Sequence, residues 1–247
     1  MSFRVDLTGR RVLVTGASSG IGAATARALG AAGVDRVARV DHDRCAGRAV
    51  AAEVGGASYE QADVSDANQA RALVDTTVER HGRLDILVNN AGTTVVIPHH
   101  DLEAASVDIW RSIFEVNVFG TWQLTVAAVP HLRASGDGAI VNVSSLAGHR
   151  PTGSSIPYAA SKAAVSHMTA LLANVLGPSV RVNAVAPGLI DTPWTEDWHA
   201  VREVVQAQAP LQRSGVPDDV AEVILSLVAS SYITGEVVLV DGGLHLR

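Results

Sequence analysis

Lysine is nearly missing from this chain: of 19 basic residues only one, Lys162, is a lysine. Cysteine is as scarce. Cys45 stands alone, which excludes a disulfide framework within the chain and suits a reducing compartment. No run of five or more basic residues occurs, and with a formal net charge of −6 this speaks against nucleic acid as a partner. Long apolar runs are missing too; each is broken by Gly, Pro or charge, so no membrane span is expected. The opening MSFRVDLTGRRVLVTG shows neither an apolar h-region nor a small-residue cleavage site. A cytoplasmic protein without a secretory signal is the expectation.

What is present is an alternation. Short β-branched runs read as strands: RVLVTG (11–16), RVARVD (36–41), LDILVNN (84–90), GAIVNVSS (138–145), SVRVNAVAPG (179–188) and GEVVLVDGG (235–243). Helical patterns lie between them, at 20–33 closed by Gly33, at 65–82 behind a Ser65 cap, and at about 107–134, 157–176 and 217–229. Strands apolar on both faces and separated by helices imply a parallel sheet covered on both sides. No repeat or linker divides the chain. The expected fold is a single α/β domain over 1–247, a Rossmann-type doubly wound sheet.

The first strand runs into TGASSGIG (15–22) and then straight into a helix. Gly16, Gly20 and Gly22 allow a tight turn, close approach of the backbone to a pyrophosphate, and close packing of helix on strand. The helix start offers free N–H groups to phosphates. A carboxylate should then close the second strand, to bind the ribose 2′-OH; Asp41 stands there, 19 residues after Gly22. It favours NAD over NADP. Arg39 and Arg44 are close enough to keep NADP as the alternative, and the link from Gly33 to Asp41 bears on the register.

The lone lysine falls in YAASK (158–162), where Tyr158 and Lys162 share one helix face at i and i+4. An ammonium beside a phenol stabilises the phenolate and lowers its pKa, making Tyr158 a proton donor or acceptor near neutrality. A compact ammonium can reach both a phenol and a sugar hydroxyl, which a planar guanidinium does less well. Thirteen residues upstream, Ser145 ends a strand and so faces the crevice where open α/β sheets bind ligands, while Ser144 points to the other face.

TGASSGIG, NNAG (89–92), Asn117, Ser145, YAASK and PGLIDT (187–192), with VDGG (240–243) near the end, stand in one order. In that order the chain resembles the short-chain dehydrogenase/reductase family along essentially its whole length. The resemblance implies a tetrad of Asn117, Ser145, Tyr158 and Lys162. Tyr158 would pass the proton, Ser145 steady the substrate oxygen, Lys162 hold the nicotinamide ribose, and Asn117 keep a helix kink and a water. It further implies dinucleotide contacts at Ser18, Ser19, Ile21, Asp63, Val64, Asn90, Gly92, Ile190 and Thr192, and a homotetramer. Hydride exchange between NAD(H) and a secondary alcohol or ketone follows. An NADP-dependent 3-oxoacyl-thioester or other ketone reductase is the alternative.

Substrate choice should lie with 93–100, 146–157 and a lid at about 188–212. In the lid Trp194, Trp198, Val201 and Val205 recur at helical spacing, as an amphipathic lid helix would show. The two tryptophans either touch substrate or only pack the lid down. His149, Arg150 and His199 could meet a polar or anionic substrate group. The nine histidines show no metal spacing, and no metal is expected. Two rival classes are weaker. A non-catalytic dinucleotide sensor would have no need of Tyr158 and Lys162, and a serine hydrolase would need a G-x-S-x-G elbow that Ser145 lacks.

Overall fold

Seven short parallel strands among the described residues set the architecture. The computed structural model describes residues 5–34, 36–41 and 58–247, with backbone alone for 36–41. Cys45, Arg44 and the residue at 35 in the link after Gly33 lie outside the described residues, as do the side chains of Arg39 and Asp41. The strands are β1 (Arg11–Thr15), β2 (Arg36–Asp41), β3 (Ser58–Gln61), β4 (Ile86–Asn89), β5 (Gly138–Val143), β6 (Val180–Pro187) and β7 (Val237–Val240). They form one sheet in the order β3-β2-β1-β4-β5-β6-β7, every pairing parallel. The expected doubly wound fold is therefore the observed one. β3 was not anticipated from the sequence, because SYEQ carries no apolar run; it lies at the sheet edge, where one-sided burial suffices.

Parallel strands are covered on both faces, and the residues show it. Val12, Leu13 and Val14 of β1 are all fully buried, yet they belong to two cores, with Val12 and Val14 on one face and Leu13 on the other. Each such side chain contributes about 1.5–3 kcal/mol by leaving water. The helices among the described residues are α1 (Gly20–Ala31), α2 (Ala67–His81), α3 (Val107–Phe114), α4 (Thr121–Ala134), α5 (Ile156–Leu176), α6 (His199–Gln208) and α7 (Pro217–Ala229). The cap of α2 is Asp66, not Ser65: the Asp66 carboxylate accepts from the N–H groups of Asn68 and Gln69. Ser65 is instead turned back onto Asp63.

Two segments depart from regular helix. The stretch expected as one helix over 107–134 is broken by a π-helical turn at Glu115–Gly120, centred on Asn117. The expected lid helix also starts late. Trp194 sits in a short 3-10 turn, Pro193–Thr195, and Trp198 only caps α6, so the tryptophans do not share a helix face with Val201 and Val205. Pro193 and the Thr195 hydroxyl, which donates to the Ile190 carbonyl at 2.7 Å, hold the chain in that turn. No described helix is long and apolar enough to cross a membrane.

Candidate active site

The strand order reverses between β1 and β4, and in open α/β sheets ligands bind in the crevice beyond the strand ends at that point. A cleft of about 680 Å³ opens there. Its lining includes Gly16, Ser19, Gly20, Ile21, Asp63, Val64, Asn90, Gly92, Ser145, Tyr158, Lys162, Ile190 and Thr192. Most residues singled out in the sequence thus come together. Ser18 is buried within the β1–α1 turn, and Gly22 packs beneath it. Asp41 ends β2, where the pairing of Thr15 with Val40 sets its backbone beside the turn.

The turn from β1 to α1 has the geometry a dinucleotide phosphate requires. Gly16 and Gly20 take φ of +62° and +52°, a region that side chains disfavour. A Cβ on Gly22 would lie 2.2 Å from the Gly16 carbonyl oxygen, so helix and strand close up only because none is present. Thr15 and Asn90 brace the loop from below, and the sequence reading did not single out either side chain for this. The Thr15 hydroxyl accepts from the N–H groups of Asn90 and Ala91, each at 3.0 Å. The Asn90 amide donates to the carbonyls of Thr15 and Gly16, at 2.9 and 3.0 Å. Val64 packs against Gly120, where a Cβ would come within 3.0 Å of it. The residues present therefore fit a dinucleotide, and no metal-binding cluster occurs among the described residues.

At the other end of the cleft α5 presents Tyr158 and Lys162. Ser155 caps this helix, its hydroxyl accepting from the Tyr158 N–H, and Pro157 follows in the first turn. The Ser145 hydroxyl neighbours the Tyr158 phenol, and both line the cleft. Lys162 lies buried with Nζ 5.8 Å from the Tyr158 ring centroid, and donates to the Val143 carbonyl at 2.9 Å. A Cβ on Gly92 would come within 3.4 Å of Nζ, so the missing side chain leaves the ammonium open toward the cleft.

Burial acts on both titrating groups. It pushes the Tyr158 phenol above its ordinary value, an effect the neighbouring Ser145 hydroxyl opposes. It lowers the Lys162 ammonium to about 8. The expected depression of the Tyr158 pKa by Lys162 is not found: burial dominates and moves the phenol the other way. At pH 7 Lys162 still carries most of its charge, and Tyr158 holds its proton.

Asn117 is immobilised within the π turn. Its Oδ1 accepts from the Thr93 N–H at 2.8 Å, and its Nδ2 donates to the Thr93 carbonyl and to the Ser161 hydroxyl at 3.0 and 2.9 Å. Ser161 in turn donates to the Tyr158 carbonyl at 2.7 Å, so Asn117 is tied to the helix that carries Tyr158. Ser144 points away as expected, onto Ser166 and the Lys162 carbonyl. Trp194 and Trp198 both line the cleft, and Trp194 meets the Tyr158 ring edge-on at 6.2 Å. His149, Arg150 and His199 do not line it. His149 bonds Ser166, Arg150 donates to the carbonyls of His245 and Arg247, and His199 is exposed.

Comparisons agree with this geometry. The family described as enoyl-(acyl carrier protein) reductase matches residues 16–245. A candidate ketoacyl reductase 2 of the granaticin polyketide synthase, from Streptomyces violaceoruber, is 56% identical over 95% of each chain. The 3-oxoacyl-[acyl-carrier-protein] reductase of Thermotoga maritima is 39% identical, over 96% of this chain and 98% of its own. An L-fucose dehydrogenase from Bos taurus is also 39% identical, over 100% and 93%. Among solved structures, a short-chain dehydrogenase/reductase from Brucella melitensis superposes with a TM-score of 0.92 at 34% identity, over 98% and 99% of the two chains. The chain is an oxidoreductase of the short-chain dehydrogenase/reductase family, whose members use a nicotinamide dinucleotide.

Proposed function

We propose that the chain transfers a hydride between NAD(H) and a secondary alcohol or ketone, with Tyr158 moving the proton. The observation that carries this reading is that Tyr158, Ser145 and Lys162 line the same cleft, with the Lys162 ammonium 5.8 Å from the Tyr158 ring centroid. The dinucleotide, when bound, supplies the hydride at its nicotinamide ring or takes it up. In the reductive direction Tyr158 gives its proton to the carbonyl oxygen as the hydride reaches the carbonyl carbon, leaving the alcohol. Ser145 donates to the same oxygen and orients it. The Lys162 charge stabilises the phenolate that forms, which offsets the desolvation disfavouring it. Asn117, through Ser161, fixes the height of Tyr158 along α5.

The dinucleotide would lie with its pyrophosphate on the turn of Gly16, Ser18, Ser19, Gly20, Ile21 and Gly22. Its adenosine would meet Asp41, Asp63, Val64 and Asn90, and its nicotinamide half Gly92, Lys162, Ile190 and Thr192. Asp41 at the end of β2 supports NAD, because a carboxylate accepts from ribose hydroxyls and repels a 2′-phosphate. The whole chain serves as one dinucleotide-binding domain in this reading, with 188–212 as its substrate lid. A cytoplasmic homotetramer is part of the proposal; Phe119, Trp122 and Val126, and Leu171 and Val175 of α5, are exposed as an assembly face would be.

A second reading, reduction of a 3-oxoacyl thioester with NADPH, is favoured by the names of two relatives. Titrating NADH and NADPH side by side by nicotinamide fluorescence tests the choice. Tighter NADH binding is expected; tighter NADPH binding would overturn the NAD assignment.

A further inference from the structure

The cleft presents an imbalance of charge along its length. Among the described residues lining it, the charged ones are Asp63, at the end assigned to adenosine, and Lys162. Beyond Tyr158 and Ser145 the lining includes the apolar Leu146, Trp194, Trp198, Val201, Val205 and Leu244, with Thr152, Ser154 and Thr195 as uncharged polar members. Two arginines of flanking segments, Arg202 and Arg150, are engaged elsewhere. Arg202 donates to Asp191 at 2.7 Å and to the carbonyls of Thr195 and Glu196, and Arg150 holds the C-terminal carbonyls. The Ser154 hydroxyl is paired with Thr94 at 2.6 Å. A carboxylate or phosphate on the substrate would be drawn out of water with no partner, which is strongly unfavourable.

The surroundings of Tyr158 add shape to this polarity. On one side the Trp194 ring stands at 81° to the Tyr158 ring. Nearby, Gly153 takes φ of +126°, and a Cβ there would lie 3.8 Å from Tyr158 Cδ1 and only 2.8 Å from the Ala147 Cβ. The proton donor therefore sits between an aromatic ring and bare backbone, an opening suited to a flat group. Trp194 is 49% exposed, which leaves ring surface for a substrate to cover.

We infer that the substrate is an uncharged ketone, or the matching secondary alcohol, borne on a flat aromatic or fused-ring apolar body that stacks on Trp194. This rests on the hydride-transfer reading above. The test compares kcat/KM for 2-tetralone, its saturated analogue 2-decalone, and a ring-carboxylated 2-tetralone, using whichever dinucleotide binds more tightly. The wild type should prefer tetralone to decalone by roughly two- to tenfold, the contribution of one aromatic pair. It should disfavour the carboxylated ketone by at least about 30-fold. Trp194→Leu keeps the wall apolar and removes the ring. That variant should lose the tetralone preference and retain the discrimination against charge. An unchanged tetralone preference in Trp194→Leu would overturn the inference, as would equal turnover of the carboxylated ketone. Reduction of a 3-oxoacyl thioester but of none of the three ketones would overturn it while leaving the hydride-transfer reading intact. Bound dinucleotide with no carbonyl reduced at all, the thioester included, would sink the reading itself.

Discussion

Replacing Lys162 by methionine should abolish turnover and change how stability depends on pH. Burial lowers the Lys162 pKa from 10.5 to about 8, while the unfolded chain keeps the ordinary value. Between those values the unfolded state binds more protons than the folded one, so stability rises with pH across that window. Below pH 8 the folded protein carries the whole penalty of an ammonium held out of water, about 3 kcal/mol from the size of the shift. Methionine removes the penalty but strips the Val143 carbonyl of the donor 2.9 Å away, at about 1–3 kcal/mol. The two effects oppose each other, so stability at one pH decides little. Their pH dependence separates them, because only the ammonium titrates. From pH 7 to 9.5 the wild type should gain about 2 kcal/mol more than Lys162→Met. Tyr158, whose raised pKa makes stability fall only above pH 10, stays outside that range. Urea unfolding of both proteins at both pH values, at one protein concentration, measures the difference. Parallel pH dependences would refute the claim that Lys162 is held as a desolvated cation.

Three further outcomes follow from the same geometry. Gly22→Ala must push the Gly16 carbonyl aside; overpacking of that kind costs about 1–3 kcal/mol, and dinucleotide titration should show a sharp loss of affinity. Asn90→Ala leaves two loop carbonyls without their donor, so thermal unfolding should come earlier and dinucleotide binding should weaken, with the catalytic helix unchanged by circular dichroism. Light scattering should give a multiple of the 25.7 kDa subunit mass, and Trp122→Asp should reduce it; a wild-type mass of one subunit would refute the assembly.

Much of this arrangement was legible because it rests on local rules. The β1 strand, its glycine turn and α1 follow from a β-branched run, three glycines and an Ala-rich period, and strand ends define the crevice without knowledge of packing. What stayed hidden depends on neighbours distant in sequence. The kink at Asn117 was implied by the family resemblance, but not the contacts of its amide with Thr93 and Ser161, 24 and 44 residues away. The bracing role of Asn90 depends on its reaching back to Thr15 and Gly16. The lid misled for a different reason: apolar spacing across 194–205 mimicked one helix, but Pro193 and the Thr195 hydroxyl impose a separate turn first. His149 and Arg150 looked available for substrate because the sequence cannot reveal that Ser166 and the C-terminal carbonyls engage them.

Tyr158→Phe tests the central claim most directly. The variant keeps the ring that packs beside Trp194 and Lys162 and loses only the hydroxyl. Turnover of a ketone and dinucleotide affinity should be measured on the same preparation. The account predicts a fall in kcat of at least about 100-fold, the scale of general acid catalysis, with dinucleotide affinity nearly unchanged. A variant that retained most of its turnover would show that the proton does not pass through Tyr158.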